Sequence, residues 1–143
     1  MLRSIMHQAT KAVVLFCVGA VVYALIEILW RGYTHWTMAV LGGLLFLLIG
    51  GINNWLPWDM PLCLQAIIGS LMVTGAELIA GLILNIWLGL GIWDYSQMPF
   101  NVLGQICPQF MAAWVVLSVV AILLDDYVRY VVFGEEKPHY KLI

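Results

Sequence analysis

Two glutamates stand inside long apolar stretches of this 143-residue chain, at Glu27 and Glu77. A carboxylate in such a stretch can bind a cation, carry a proton, or act as a general acid or base. The same side chain can also be one half of a structural ion pair. The neighbours of each glutamate therefore decide which chemistry is open to it.

Glu27 has a cation at helical spacing, because Arg31 follows it by four residues. Arg31 opens the polar segment "RGYTH", which adds Tyr33 and His35 between two apolar stretches. A structural ion pair and a functional role for Glu27 and Arg31 are both open. For His35 the favoured interpretation is an ordinary histidine at the membrane interface.

Glu77 has no Lys or Arg at helical spacing, and a functional role is its favoured interpretation. Small and polar residues recur on its face of a helix at steps of three and four. This spacing predicts a polar seam that faces other helices rather than lipid. The members of the seam are Ser70, Thr74, Glu77, Gly81 and Asn85.

Two further polar sets are predicted to lie near this seam. Asn101 and Gln105, followed by Gln109, are expected to share a face of the last helix, with Pro108 as a bend. This row is interpreted as hydrogen bonding between helices. The segment "WDYS" is an outer loop made of Trp93, Asp94, Tyr95 and Ser96. The favoured role of Asp94 is to cap a turn or a helix start.

The composition indicates whether these residues lie in water or in a lipid bilayer. Hydrophobic residues make up 64% of the chain and charged residues 10%, and the mean hydropathy is +0.98. A soluble domain is about half apolar and about a quarter charged. The chain is therefore expected to lie in a lipid bilayer, and the absence of a basic cluster argues against nucleic acid as a partner.

Four apolar segments are long enough to cross a bilayer, since roughly 17 to 20 residues suffice. They lie at residues 12–30, 36–52, 62–87 and 102–124, followed by a tail at 125–143. Backbone polar groups in hydrocarbon must be paired within their own segment, so each segment should be a helix. We predict an all-α integral membrane protein, a single domain with four transmembrane helices in a bundle.

The two glutamates fall at similar depths in this arrangement. Residue 12 opens the span that holds Glu27, and residue 62 opens the span that holds Glu77. Both carboxylates then lie about 22 Å into their helices, at about 1.5 Å per residue. We expect them to face one polar interior near the outer side of the membrane, beneath the loops that carry Tyr33 and Tyr95.

Lys and Arg are distributed unevenly along the chain. Four spans place both termini on one side, and five of the six basic residues fall on that side: Arg3, Lys11, Arg129, Lys137 and Lys141. Cytoplasmic segments carry the excess of Lys and Arg in membrane proteins. Both termini are therefore predicted to be cytoplasmic.

Neither a cofactor nor a metal is predicted from the sequence. The spacing of Cys17, Cys63 and Cys107 fits no zinc motif and no disulfide framework. The chain also has no nucleotide-binding loop of the form G-x-x-x-x-G-K-[ST]. Any ATP hydrolysis would then have to come from a partner.

Several short motifs together resemble a family of small bacterial membrane proteins known as putative ABC-transporter permeases. The matching segments are Glu27, "RGYTHWTM" from Arg31, "TGAE" from Thr74, "WDYSQMPFN" from Trp93, "GQIC" from Gly104, and the tail "DDYVRYVVFGEEKPHY" from Asp125. Leu78 stands where the family pattern has an aromatic residue. The resemblance implies a multi-pass protein of the bacterial inner membrane that is a transporter component.

Three functions are compatible with these residues. The polar interior can be a substrate or ion pathway of a transporter, formed by Glu27, Arg31, Thr74, Glu77, Asn101 and Gln105 with the two outer loops. It can instead belong to a small intramembrane enzyme, the less favoured alternative, in which Glu27, His35, Glu77 and Asp94 would supply acid, base or metal ligands, although no spacing assigns any of them as catalytic. Its polar groups can also simply hold helices together. Candidate partners are lipid, a cytoplasmic ATPase, other membrane subunits and a second copy of the chain.

Overall fold

The computed structural model describes residues 1–57 and 59–142, and the side chains of all of these except residues 54 and 55. Within these residues the secondary structure is helical and contains no strand. The all-α prediction is confirmed. The helices are α1 (Leu2–Arg31), α2 (Trp36–Gly50), α3 (Ile52–Trp55), α4 (Leu62–Gly81, continued by a π-helix at Leu82–Trp87) and α5 (Pro108–Phe133).

Three helices are long and apolar enough to cross a membrane: α1, α4 with its π-helical continuation, and α5. The fourth, α2, is apolar but has only 15 residues. Large apolar side chains are exposed along the long helices, for example Val21 and Leu25 on α1 and Leu71 and Ile79 on α4. Such surfaces are rare on soluble monomers and fit a membrane protein.

The chain divides into two compact units. The first comprises Met1–Asp59 with Ala121–Tyr140, and the second comprises Met60–Val120 with the end of the chain from Lys141. The first unit therefore contains α1, α2, α3 and the second half of α5. The second unit contains α4, the loop that follows it and the first half of α5.

In the first unit, α1 and α2 pack closely because glycines face aromatic side chains. A Cβ atom at Gly42 would lie 2.5 Å from Cβ of Tyr23, and a Cβ atom at Gly43 would lie 2.6 Å from the Phe16 ring. Gly19 of α1 is equally tight against Phe46. The glycines of α2 thus allow close helix contact, as small residues do in membranes.

The second half of α5 carries a buried acidic pair in the first unit. Asp125 is 0% exposed and Asp126 is 5% exposed. Arg129 Nε donates to Asp125 Oδ2 over 2.7 Å, and Asp126 Oδ2 accepts from Asn53 Nδ2 over 2.9 Å and from the Tyr140 hydroxyl over 2.8 Å. The segment that the sequence analysis describes as a tail from residue 125 thus continues α5 to Phe133. Beyond the helix, Tyr140 of this segment contacts Asp126.

The residues after α5 are also tied to the rest of each unit. Gly134 directly follows Phe133, the last residue of α5, and has φ 65°, the left-handed conformation in which a glycine commonly ends a helix. Lys11 Nζ lies 2.9 Å from Glu135 Oε2 in the first unit. In the second unit, the carbonyls of Lys141 and Leu142 accept from the N–H groups of Leu62 and Cys63. These carbonyls satisfy two donors that the first turn of α4 cannot pair internally.

The last helix begins later than the sequence predicts. Pro108 is its first residue rather than a bend within it, and a proline suits that position because its missing N–H would be unpaired there anyway. Asn101 and Gln105 lie in the preceding loop, where Val102 N–H donates to Ile106 O over 2.9 Å. The predicted row of Asn101, Gln105 and Gln109 on one helix face is therefore wrong.

Candidate functional site

The polar seam of α4 is buried in the second unit, as the sequence predicts. Ser70, Thr74 and Glu77 are 4%, 7% and 6% exposed. Ser70 Oγ donates to Met111 O of α5 over 2.6 Å, and Thr74 Oγ1 donates to Ser70 O over 2.8 Å. The two hydroxyls are thus satisfied by backbone carbonyls, and Glu77 is the ionisable group of the seam.

Glu77 receives hydrogen bonds from two aromatic side chains. The Tyr95 hydroxyl donates to Oε1 over 2.7 Å, and Trp114 Nε1 donates to Oε2 over 3.0 Å. Tyr95 is held in place by the Phe110 ring, which stacks on it with centroids 4.6 Å apart and planes 9° apart. The carboxylate is therefore fixed by α4, by the loop and by α5 together.

We call Glu77, Tyr95 and Trp114 the Glu77 site. Both donors are neutral aromatic groups, and buried Tyr and Trp need such polar partners. Hydrogen bonds to a carboxylate stabilise its ionised form, whereas burial in an apolar helix opposes it. A carboxylate buried in a membrane helix is a candidate proton carrier or cation ligand.

A second polar cluster includes Asn85, which lies in the π-helix that continues α4. Asn85 Nδ2 donates to Gln105 Oε1 over 2.8 Å, and Asn85 Oδ1 accepts from Ile92 N–H over 2.7 Å. Trp93 Nε1 donates to Gln105 O over 3.1 Å. Gly81 lies against Gln105 with no room for a Cβ atom. The Gln105 side chain thus contacts the end of the polar seam, at Gly81 and Asn85, although Gln105 itself lies in a loop.

Asp94, Ser96 and Asn101 organise the loop. Asp94 Oδ1 accepts from Ser96 N–H over 2.8 Å, which confirms its predicted role in a turn. The same hydrogen bond holds the pKa of Asp94 below its ordinary value. Asn101 Nδ2 donates to Ser96 O and Met98 O. These residues shape the segment that carries Tyr95.

The remaining predicted site residues lie in the first unit. Arg31 Nε donates to Glu27 Oε2 over 2.7 Å, so the expected ion pair is present. The guanidinium lies 4.9 Å from the centre of the Tyr33 ring. His35 caps α2, since its Nδ1 accepts from Thr37 N–H over 3.3 Å. The common interior for Glu27 and Glu77 stays a prediction.

The sequence reasoning missed two residues of this region, Trp114 and Phe110. Trp114 could have been found from the sequence, because it is the one tryptophan well inside a predicted span. A buried indole N–H needs an acceptor, and Glu77 is that acceptor. Phe110 has no comparable signal, since a phenylalanine in an apolar helix is ordinary.

Metal ligands are not gathered anywhere in the part of the chain that the structure describes, where no group of three or more His, Cys, Asp or Glu could hold an ion. Cys17 and Cys63 are exposed and Cys107 is buried, all three as free thiols.

One comparison with known proteins identifies a relationship. A family model described as "Putative ABC-transporter type IV" matches residues 14–135, which is most of the chain and includes α2, α4, the loop and the site residues. No curated protein and no solved structure shows significant similarity to the chain.

Proposed function

This chain belongs to the family described as "Putative ABC-transporter type IV", and from that membership we propose that it is the membrane-spanning component, or permease, of a transporter. The Glu77 site is proposed to lie on the path of the transported substrate, near the outer face of the membrane. The proposed location is the bacterial inner membrane, with both termini in the cytoplasm.

The burial of Glu77 within an apolar helix is the observation that carries this proposal. The side chain is 6% exposed on a helix long and apolar enough to cross a membrane. An ionisable group at such a position is expensive and marks a functional site by default. Its two aromatic donors keep the carboxylate in one orientation, as a binding site requires.

A transporter of the ABC type needs an ATP-hydrolysing subunit, and this chain has no G-x-x-x-x-G-K-[ST] loop of its own. We therefore propose a cytoplasmic ATPase as its partner, with further membrane subunits or a second copy of the chain completing the path. The charged segment after α5 and the connection between α3 and α4 are the proposed contact regions.

Native purification tests the partner. The chain, tagged at its N-terminus, is extracted in mild detergent, and the proteins that co-purify in stoichiometric amounts are identified by mass spectrometry. We expect an ATP-binding subunit and ATP hydrolysis in the purified complex. A preparation that contains neither would contradict the ABC-type proposal.

The Glu77→Gln variant tests the site within that complex, since it keeps the shape of the side chain and removes the charge. We expect the complex to assemble and its ATP hydrolysis to fall by about tenfold or more, which corresponds to about 1.4 kcal/mol. Tyr95→Phe should reduce activity less, because Trp114 still orients the carboxylate.

Glu27→Gln is the matched control, a second glutamate in an apolar helix whose partner is Arg31. We expect it to reduce stability more than activity per folded molecule. A Glu77→Gln complex with wild-type activity would assign the Glu77 site to helix packing instead. An enzyme of the membrane would be indicated if the purified chain turned over a lipid or peptide without ATP.

A further inference from the structure

The loop between the π-helix and α5 exposes a patch of large apolar side chains. Phe100 is 87% exposed, Leu103 is 67% exposed and Val102 is 47% exposed. We call these three residues the apolar loop patch. Residues 98–103 read "MPFNVL" and carry no charge.

The backbone of the apolar loop patch is held in an unfavourable conformation. Phe100 has φ 59° and Leu103 has φ 55°, in the left-handed region that bulky side chains rarely adopt. Such conformations persist only where the surroundings impose them, and they cluster at sites of function. A glycine or asparagine would fit both positions with less strain.

Hydrogen bonds around Asn101 impose this conformation. Asn101 Nδ2 donates to Met98 O over 2.9 Å, and its Oδ1 accepts from Gly104 N–H over 2.9 Å. Val102 N–H donates to Ile106 O, also over 2.9 Å. The polar groups of the loop are therefore engaged within it, while the apolar side chains on either side of Asn101 are left outside.

The position of the loop in the chain indicates what covers the patch. It directly follows the apolar helix Leu62–Trp87 and directly precedes Pro108–Phe133, and both are long enough to cross a membrane. Both ends of the loop thus emerge at a bilayer surface. Trp87, at the helix end, is 78% exposed, as expected of an interfacial anchor.

We propose that Phe100 and Leu103 insert into the lipid interface, so that the loop is anchored in the leaflet from which it emerges. The patch has no Lys or Arg that would hold it in the headgroup layer by charge, and burial of apolar area supplies the attraction. The occupant of this surface is then lipid rather than a protein partner.

Site-directed spin labelling tests the proposal. Cys17, Cys63 and Cys107 are replaced by alanine, and single cysteines are introduced as Phe100→Cys, Leu103→Cys and Val102→Cys. Gln97→Cys is the matched control, an exposed polar residue of the same loop. The purified, labelled chain in liposomes is exposed to oxygen, which partitions into lipid, and to a nickel chelate, which stays in water.

We expect the ratio of oxygen to nickel accessibility to be severalfold higher at positions 100 and 103 than at position 97. A preference for nickel at both positions would show that the loop lies in water and would overturn the proposal. Protection from both reagents would also overturn it, since protein would then cover the patch. Val102 lies in the same patch and has no strained φ. If the other two variants fail to fold, the oxygen-to-nickel ratio at Val102→Cys tests the proposal in their place.

Discussion

At the scale of single residues, the two glutamates of the apolar helices are stabilised by different chemistry. Glu27 is neutralised by Arg31 one helical turn away, over 2.7 Å. Glu77 is oriented by the Tyr95 hydroxyl and the Trp114 indole. Glu27 therefore depends on a charge partner, whereas Glu77 accepts hydrogen bonds from two neutral aromatic side chains.

The Glu27–Arg31 pair leads to a prediction about stability. The side chains are 12% and 23% exposed, so removing one charge leaves the other poorly solvated. We expect Glu27→Gln and Arg31→Gln each to lower the thermal unfolding temperature, and the double variant to recover much of the loss. The coupling energy should be about 0.5–3 kcal/mol.

The control for this cycle is Arg3→Gln, because Arg3 is an exposed residue of the same helix. Its unfolding temperature should match that of the wild type. Strictly additive losses in the Glu27 and Arg31 variants, measured in the same detergent, would show that the two side chains do not stabilise each other.

Tyr140 leads to a second prediction, because its hydroxyl donates to the buried Asp126 over 2.8 Å. Tyr140→Phe should cost about 1–3 kcal/mol, since it leaves a buried acceptor with one partner fewer. His139→Ala is the control: its contact with Glu136 is between side chains that are 59% and 67% exposed, and exposed pairs contribute little. Thermal unfolding measures both.

The same residue predicts a pH dependence. Burial, with the hydrogen bond to Asp126, raises the pKa of Tyr140 above its ordinary value of 10.0. The stabilisation from the neutral phenol is therefore complete below about pH 10 and declines as the pH rises further, because the unfolded chain ionises first. Unfolding temperatures of wild type and Tyr140→Phe should converge above that pH; a constant difference would contradict the assignment.

At the scale of elements, the contact between α1 and α2 depends on glycine. A Cβ atom at Gly42 would meet Cβ of Tyr23 at 2.5 Å, close to the backbone, where a side-chain rotation gives no relief. Helices in a bilayer gain no hydrophobic driving force from each other, so close packing is a main source of their association.

We expect Gly42→Ala to destabilise the protein by about 1–3 kcal/mol through overpacking. Gly75→Ala is the matched control, a helical glycine of α4 with nothing within 4 Å of its added Cβ atom. That variant should be stabilised by about 0.5–1 kcal/mol, the usual gain of alanine over glycine within a helix. Equal effects of the two substitutions on the unfolding temperature would rule out the tight α1–α2 contact.

At the scale of the whole molecule, the topology depends on whether α2 crosses the membrane. Its 15 residues span ~22 Å at about 1.5 Å per residue, less than the roughly 30 Å of a hydrocarbon core. If α2 crosses, with the three long helices, both termini lie on one side. If it does not, the termini lie on opposite sides.

We predict that α2 crosses, and that Arg3→Cys and Lys137→Cys are both protected in intact cells from a membrane-impermeant maleimide. Gln97→Cys should react from outside, and all three should react after the membrane is permeabilised. The parent chain has alanine at positions 17, 63 and 107. Reaction at only one of positions 3 and 137 in intact cells would show three crossings instead of four.

The sequence by itself determined the class of protein and most of its helices. Apolar composition and segment length require helices in a bilayer, because unpaired backbone groups cannot remain in hydrocarbon. Spacing alone also predicted the buried seam through Ser70, Thr74 and Glu77 and the Glu27–Arg31 pair. Each of these depends on residues a few positions apart on one helix, so local geometry suffices to place them.

Only the tertiary structure decided which residues meet from distant parts of the chain. Tyr95 and Trp114 reach Glu77 from 18 and 37 residues away, and Tyr140 reaches Asp126 across the end of α5. The late start of α5 could not be predicted from the sequence either, because residues 102–107 are mostly apolar, like the helix that follows them. The hydrogen bond from Val102 N–H to Ile106 O shows that these residues form a loop. Such contacts arise when the chain folds back on itself, and helical periodicity carries no information about where that occurs.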